Sequence, residues 1–307
     1  MKLVLFDDFR PGILQNGHVV DASAAVAALG VSRHGKLMPA IIEHFDRLRA
    51  PLAQLAAAER GRPLSEVRLR APDPAPPKLI ACFGNYMESL DRSREKRNPQ
   101  DMFLKNSRGV IGDGDTVVLP PHQATVFHHE AELGVVIGKR SKNLPTTEEA
   151  LGAVFGYTCY VDVSGRGVGT PGQNSRMGKS FDTFGPMGPC IVTSDEVPDA
   201  NDLEVRFWVD GELRQEYSTA SMEYLVWEVV SFASQCMTLL PGDVISCGTH
   251  HLGLGPLQHG DHAEMEIMGI GKFGFYVRDP YQRSWPKGID RTATNPGYRP
   301  SAMRGGV

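Results

Sequence analysis

A short proline-rich segment constrains the fold of this chain more than any other feature. Residues 71–77 read Ala-Pro-Asp-Pro-Ala-Pro-Pro, so four of these seven residues are proline. Proline lacks a backbone N–H and has a fixed φ, so the segment can neither continue a helix nor join a central strand. We expect a linker there, between a small N-terminal α/β domain (residues 1–70) and a larger domain (residues 78–279). The Arg-, Pro- and Gly-rich tail, residues 280–307, is expected to be irregular and to pack on the surface or on a subunit.

The residue patterns on the two sides of this linker differ. Before it, two short strand-like runs precede an Ala/Leu-rich stretch, residues 36–60, with helical character. After it come short β-rich runs separated by Gly and Pro, and Val205–Gly211 alternates and ends in Asp-Gly, which predicts a hairpin. Apolar residues recurring every three or four positions predict one helix over Met222–Met237. Many strands and few helices indicate an α+β, β-rich fold, a sandwich or roll.

The composition argues against several classes of protein. The 307 residues include 32 Lys+Arg and 36 Asp+Glu, a net charge of -4, which disfavours a nucleic-acid partner. No stretch approaches the roughly 18 apolar residues of a membrane span. Asp7 and Asp8 interrupt the apolar run at the N-terminus, so we expect a cytoplasmic protein without a membrane partner. Without a CxxC pair, buried and reduced thiols are expected at Cys82, Cys159, Cys190, Cys236 and Cys247.

Three acidic residues stand beside apolar strand-like runs. Glu130 and Glu132 are two residues apart, so an extended chain places both carboxylates on one face, where they repel unless a cation lies between them. Asp162 lies inside an apolar and aromatic run, where a carboxylate is costly unless it is paired or metal-bound. Two glutamates and an aspartate would form an open oxygen site that suits Mg²⁺ or Mn²⁺. The alternatives are glutamates that face water beside Lys139 or Arg140, and an aspartate that caps a turn.

Two further segments carry candidate substrate contacts. Lys179 lies among small and aromatic residues on a stretch fixed by Gly and Pro, where its ammonium would hold a carboxylate or an enolate. The alternative is a surface lysine in a loop. Residues 241–251 contain a turn, a strand and a Gly-Thr end at Thr249, which offers a hydroxyl and backbone N–H groups to an oxyanion.

In combination these motifs resemble the fumarylacetoacetate hydrolase family, particularly its bacterial acylpyruvase-like and 2-oxo-acid-processing members. The resemblance runs from Lys78 to Val277, about two thirds of the chain. It rests on Asn85-Tyr86, Phe103-Leu104-Lys105, Glu130-Ala131-Glu132, Asp162-Val163-Ser164-Gly165-Arg166, the block around Lys179, and Pro241-Gly242-Asp243 through Gly248-Thr249.

The resemblance implies a mixed β-sandwich roll that forms a homodimer and carries a divalent metal. It implies Mg²⁺, with Mn²⁺ or Ca²⁺ as alternatives, held by Glu130, Glu132 and Asp162. The partner would be a small-molecule 2-oxo or β-diketo acid. Its predicted contacts are Tyr86, Lys105, Arg166, Lys179 and Thr249.

The chain departs from the family where hydrolytic members carry a His-Glu dyad that activates water. Ser89 and Arg92 stand at those two positions, and serine is not a general base near neutral pH without help. Candidate replacements are Glu88, Glu95, His128, His129, His250 and His251. We predict catalytic roles for Lys179, Glu88 and His250.

Three functions follow as hypotheses. The first is a metal-dependent hydrolase that cleaves a C–C bond of an acylpyruvate- or fumarylpyruvate-like β-diketo acid in aromatic-compound catabolism. The second uses the same metal site in a decarboxylase, an isomerase or tautomerase, or a hydratase of a 2-oxo or 2-hydroxydienoic acid, because these reactions depend less on the missing dyad. The third is an inactive binding or structural homologue, against which the intact acidic residues and Lys179 argue.

Overall fold

The computed structural model describes residues 1–87, 95, 97–169 and 175–291. In these ranges the helices are α1 (Ser23–Val26), α2 (His34–Glu43), α3 (Phe45–Ala58), α4 (Thr147–Leu151) and α5 (Val226–Cys236). The strands are β1 (Lys2–Phe6), β2 (Arg10–Gln15), β3 (His18–Asp21), β4 (Arg62–Pro63), β5 (Leu69–Arg70), β6 (Leu79–Phe83), β7 (Asp101–Lys105), β8 (Val110–Ile111), β9 (Thr116–Val118), β10 (Val126–His128), β11 (Ala131–Ile137), β12 (Val154–Val161), β13 (Ser164–Arg166), β14 (Gly185–Thr193), β15 (Glu204–Val209), β16 (Glu212–Ser218), β17 (Val244–Ser246), β18 (His262–Ile267) and β19 (Gly271–Arg278).

A large mixed sheet forms the centre of the described structure. Its strand order is β4-β3-β2-β1-β14-β12-β11-β17-β6-β7, with β5 paired to β1 and β8 paired to β14. Most neighbours are antiparallel, whereas β17 and β6 are parallel. The central strands β11 and β12 are buried along their whole length, which explains their nearly continuous apolar sequences.

The N-terminal residues extend this sheet. Strand β1 pairs antiparallel with β14, with Lys2 opposite Val192, and one apolar cluster contains residues from β1, α2, α3 and β14. Residues 71–77 contain neither helix nor strand, and the side chain of Asp73 is fully buried. The domain boundaries placed on either side of this segment remain a prediction.

A second sheet in the order β16-β15-β18-β19-β9 packs its apolar residues into the same core as β11 and β12. The predicted hairpin is confirmed: β15 and β16 pair around Asp210 and Gly211, which both have positive φ, 51° and 78°. That conformation is typical of a two-residue type I′ turn. Mixed sheets with few helices also confirm the predicted fold class.

The structure corrects the start of one predicted helix and confirms the helical character of another segment. The last helix, α5, begins at Val226 rather than Met222, because the preceding backbone N–H groups bind elsewhere: that of Tyr224 donates to Asn85 Oδ1 and that of Leu225 to Glu228 Oε2, each within 2.9 Å. The Ala/Leu-rich stretch forms two helices, α2 and α3, which are separated at His44.

The remaining structural predictions concern the cysteines, membrane-spanning helices and the C-terminal tail. All five cysteines are free and four are buried, but Cys236 is exposed at the end of α5, contrary to the prediction. No helix in the described ranges is long and apolar enough to cross a membrane. Residues 280–288 of the tail have neither helix nor strand, and Arg283 and Trp285 donate to the carbonyls of Pro120 and Thr125. Residues 292–307 lie outside the described residues, so the interpretation of the whole tail stays a prediction.

Candidate metal centre

The three predicted carboxylates meet at one end of the paired strands β11 and β12. Glu132 lies in β11, Glu130 directly precedes that strand, and Asp162 directly follows β12. Ala131 is opposite Val161, and the N–H of Asp162 donates to the carbonyl of Glu130 at 2.8 Å. One oxygen from each carboxylate lies within 4.8 Å of the others, and all three side chains are buried. This burial excludes the alternative in which the glutamates face water.

Lys179 joins two of these carboxylates. It ends a 3₁₀ turn, Arg176–Lys179, and its Nζ lies 2.5 Å from Glu130 Oε2, 2.7 Å from Asp162 Oδ2 and 2.7 Å from Ser164 Oγ. Burial alone would lower the pKa of Lys179, but the two carboxylates outweigh it and raise that pKa. Lys179 is therefore a charged ammonium inside the site and not the surface lysine of the alternative interpretation.

Arg166 contacts the same cluster through the other oxygen of Glu130. Its Nη2 donates to Glu130 Oε1, while Lys179 donates to Oε2. Burial alone would raise the pKa of the Glu130 carboxyl, but Lys179 and Arg166 hold that pKa well below its usual range. Glu130 is thus an ionised carboxylate with a fixed orientation.

Lys105 is an internal partner of Asp162. Its side chain is only 1% exposed, and its Nζ donates to Asp162 Oδ1 and, at 3.2 Å, to the carbonyl of Phe184. Burial lowers the pKa of Lys105 despite the attraction of Asp162. These contacts fix the orientation of Asp162, and the predicted substrate contact of Lys105 stays a prediction.

Glu132 receives its hydrogen bonds from neutral groups. The hydroxyl of Ser246 and the N–H of Gly248, at 2.8 Å, donate to its Oε2. Burial, followed by the charges of Asp162 and Glu130, raises the pKa of Glu132 to about 8. A divalent cation would offset this excess of negative charge, and three hard carboxylate donors suit Mg²⁺, Mn²⁺ or Ca²⁺ better than zinc. The residues therefore fit the predicted metal.

A buried amide beside the carboxylates escaped the sequence prediction. Gln215 Nε2 donates to Thr249 Oγ1 at 2.9 Å and to the carbonyl of His250 at 2.7 Å. Its Oε1 lies 3.0 Å from His129 Nδ1 and accepts the N–H of Ala131 at 3.2 Å. Gln215 thereby connects the second sheet to the strand that carries Glu132. The available signal was a polar residue within a strand that packs on the core.

Two tyrosines and His250 line the Thr249 side of the site. The rings of Tyr86 and Tyr217 meet edge to face with centroids 5.1 Å apart, and Tyr86 is fully buried. Their centroids lie 6.1 and 5.9 Å from that of His250. His250 Nδ1 accepts the N–H of Leu252 at 3.2 Å, which leaves Nε2 to carry the proton of the neutral ring. The predicted catalytic role of His250 and substrate contact of Tyr86 stay predictions.

The remaining candidate bases are in different environments. Burial is the main cause that lowers the pKa of His128 to about 4 and that of His129 to about 3, so both imidazoles are neutral at neutral pH. Glu88, Ser89 and Arg92 lie outside the described residues. The predicted catalytic role of Glu88 therefore stays a prediction.

The fold and the site define a family. Residues 78–278 match the model of the fumarylacetoacetate (FAA) hydrolase C-terminal domain, and the chain belongs to the fumarylacetoacetate hydrolase family, as predicted.

Two named proteins and one crystal structure are also similar to this chain. A maleylpyruvate hydrolase of Aquipseudomonas alcaligenes is 33% identical over 294 residues, 91% of this chain and 99% of that protein. A mitochondrial oxaloacetate tautomerase of Bos taurus is 38% identical over 222 residues, 68% of this chain and 69% of that protein. The crystal structure of maleylpyruvate hydrolase from Sphingobium sp. SYK-6, in complex with manganese(II) ion and pyruvate, has a TM-score of 0.80 at 32% identity, covering 91% of this chain and 99% of that one.

Proposed function

We propose that this chain is a divalent-metal-dependent hydrolase that cleaves a C–C bond of an acylpyruvate, with maleylpyruvate- or fumarylpyruvate-like β-diketo acids as the substrate class. The observation that carries the proposal is the buried cluster of Glu130, Glu132 and Asp162, with the charged Lys179 in contact with it. Identity of 32–33% to maleylpyruvate hydrolases over 91% of the chain supports hydrolysis. Such a reaction would belong to aromatic-compound catabolism.

The three predicted metal ligands and Lys179 have separate roles in the proposed reaction. Glu130, Glu132 and Asp162 would hold Mg²⁺ or Mn²⁺, which supplies Lewis-acid stabilisation of the enolate that C–C cleavage releases. Lys179 binds and orients the carboxylate of the 2-oxo acid. Burial of these charges strengthens the contacts, since the surroundings have a low dielectric.

Thr249 and His250 act on the other side of the substrate. Gln215 donates to Thr249 Oγ1, so the Thr249 hydroxyl is the donor in its second contact. That contact is with the Tyr217 oxygen at 3.4 Å here and would be with a substrate oxygen in the complex. In the tautomer assigned to His250, Nε2 carries the proton and would be the donor toward the leaving group. The base that activates water is assigned to Glu88 on the sequence argument alone.

A tautomerase acting on a 2-oxo acid is the second candidate. Ser89 stands where hydrolytic members carry the histidine of their dyad, and tautomerisation needs enolate stabilisation without an activated water. The 38% identity to an oxaloacetate tautomerase supports this alternative. Both reactions use the same carboxylate cluster.

The two candidates are separated by their products. The ultraviolet absorbance of maleylpyruvate, fumarylpyruvate and oxaloacetate is followed with Mg²⁺ or Mn²⁺, and pyruvate is quantified at the end. Hydrolysis predicts stoichiometric pyruvate from an acylpyruvate, abolished both by a chelator and by Glu132→Ala. An absorbance change for oxaloacetate without loss of the carbon skeleton would favour the tautomerase. No turnover of any acylpyruvate by the metal-loaded protein would contradict the hydrolase.

Homodimerisation and a cytoplasmic location are parts of the same proposal. The dimer rests on the resemblance to the family and is tested by sedimentation equilibrium with and without Mn²⁺. A mass of one chain at micromolar concentration would contradict it.

A further inference from the structure

The C-terminal tail contacts the segment that leads to the candidate metal centre. Residues 280–291 lie beyond the family match, which ends at residue 278. Arg283 Nη2 donates to the carbonyl of Pro120 at 2.9 Å, and Trp285 Nε1 donates to the carbonyl of Thr125 at 2.6 Å. The indole also packs edge to face on Phe127, with ring centroids 5.8 Å apart. The tail is thereby anchored beside β10.

The end of the described tail brings a carboxylate to the last residue of β10. The N–H of Asp290 donates to the carbonyl of Leu254 at 2.7 Å, which fixes the backbone at this point. Asp290 Oδ2 then lies 3.0 Å from Nε2 of His128, whose side chain is only 3% exposed. A charged residue outside the family domain therefore contacts a buried imidazole.

The other nitrogen of that imidazole faces an arginine. Arg166 Nε donates to His128 Nδ1 at 3.3 Å, and Arg166 Nη2 donates to the Glu130 carboxylate. An arginine is always a donor, so His128 Nδ1 must be an acceptor without a proton. Nε2 then carries the proton and donates it to Asp290. The hydrogen-bond directions are thus fixed along the series Asp290, His128, Arg166 and Glu130.

We propose that Asp290 is a positioning residue of the metal centre, acting through His128 and Arg166 on the orientation of Glu130. The inference rests on the proposed function in one respect, namely that Glu130 is a metal ligand. Groups that orient a ligand from behind alter metal affinity without contacting the metal. An arginine side chain has many rotamers, and a fixed acceptor for its Nε restricts them, so the tail contributes a constraint that the family domain alone lacks.

The first test determines the tautomer of the His128 imidazole in the metal-free full-length protein. Selective ¹⁵N labelling of histidine and two-dimensional NMR report which ring nitrogen of His128 carries the proton. We expect the Nε2–H tautomer in the wild type and in Asp290→Asn, whose amide oxygen still accepts, and a mixture of tautomers in Asp290→Ala. Lys287→Ala removes another tail contact, the 2.9 Å ion pair with Asp210, and should leave the tautomer unchanged. The Nδ1–H tautomer in the wild type would overturn the proposal.

The second test measures Mn²⁺ affinity by titration calorimetry. We expect a dissociation constant about threefold to tenfold higher in Asp290→Ala, recovery in Asp290→Asn and no change in Lys287→Ala. In a His128→Leu background, which has neither the acceptor nor the donor nitrogen, Asp290→Ala should have no further effect. Equal affinities of Asp290→Ala and the wild type, or an undiminished effect in that background, would overturn the proposal. A wild type that binds no Mn²⁺ would instead contradict the proposed function. The hydrogen-bonded arrangement of Asp290, His128 and Arg166 would then be tested only by the tautomer measurement.

Discussion

The ammonium of Lys179 lies 2.5 Å from the carboxylate of Glu130, so the residue assigned to the substrate and a residue assigned to the metal share one contact. The same ammonium contacts Asp162 at 2.7 Å. Lys179 therefore balances negative charge that a divalent cation would otherwise balance. Substrate binding and metal binding are expected to influence each other through this residue.

Lys179→Met should separate these two roles. Removal of the ammonium eliminates the substrate contact, so we expect kcat/KM to fall by about 100-fold or more. The dissociation constant of Mn²⁺ should not rise, because a competing positive charge is lost from Glu130 and Asp162. Steady-state kinetics and calorimetry on the same preparation measure both effects, with the exposed Lys36→Met as the control. Weaker Mn²⁺ binding in Lys179→Met would contradict the assignment.

Glu132→Gln should abolish metal binding without unfolding the protein. The glutamine keeps the size of the side chain and removes an acidic group whose hydrogen bonds come from neutral donors. We expect at least about 100-fold weaker Mn²⁺ binding. The metal-free Tm should be equal to or above that of the wild type, and Mn²⁺ should no longer raise it. Differential scanning calorimetry measures this, with the exposed Glu43→Gln as the control, and a retained Mn²⁺-dependent rise in Tm would be incompatible with a ligand role.

Gln215→Leu should destabilise the site and the fold together. It leaves the N–H of Ala131 and the imidazole of His129 without this partner and removes one of the two contacts of the Thr249 hydroxyl, which costs about 3 kcal/mol in the free energy of unfolding. Urea denaturation measures this change. The exposed Gln54→Leu should be nearly neutral. A Gln215→Leu variant as stable as the wild type would show that water replaces the amide.

Asp73 should make stability depend on pH. Burial, opposed by the N–H of Ala75 and reinforced by Asp243, raises its pKa from 3.8 to about 7. Between these values the native state retains a proton that the unfolded state has released, so the free energy of unfolding falls as the pH rises. Asp73 lowers the free energy of unfolding by up to about 1.4 kcal/mol per pH unit, and this effect levels off above pH 7.

Urea denaturation from pH 4.5 to pH 8 tests the Asp73 prediction. Asp73→Asn cannot ionise, so its stability relative to the wild type should rise across this range. The exposed Asp46→Asn should follow the wild-type curve. A constant difference between Asp73→Asn and the wild type at all pH values would mean that Asp73 is already ionised at pH 4.5.

Local patterns in the sequence predicted the strands well. The alternating residues 205–209 lie in β15, and Asp210-Gly211 marked the hairpin. The predicted start of α5 was wrong, because the position where this helix begins depends on hydrogen bonds to Asn85, which is distant in sequence. Such a contact leaves no trace in the periodicity of the helix itself.

The candidate site was predictable only in part, for a related reason. The spacing of Glu130 and Glu132 placed two carboxylates on one face, and the apolar surroundings of Asp162 marked a third. The partners Gln215 and Asp290 could not be predicted, because they reach the site from another sheet and from the tail. Pairings between distant segments are determined by the tertiary fold and not by local spacing.

Anomalous diffraction from crystals grown with Mn²⁺ would locate the bound cation. We expect one strong peak within coordination distance of oxygens from Glu130, Glu132 and Asp162, and no such peak in Glu132→Gln. Wild-type crystals grown in saturating Mn²⁺ that show no peak among these carboxylates, with Lys179 still bound to Glu130 and Asp162, would rule out the proposed metal centre.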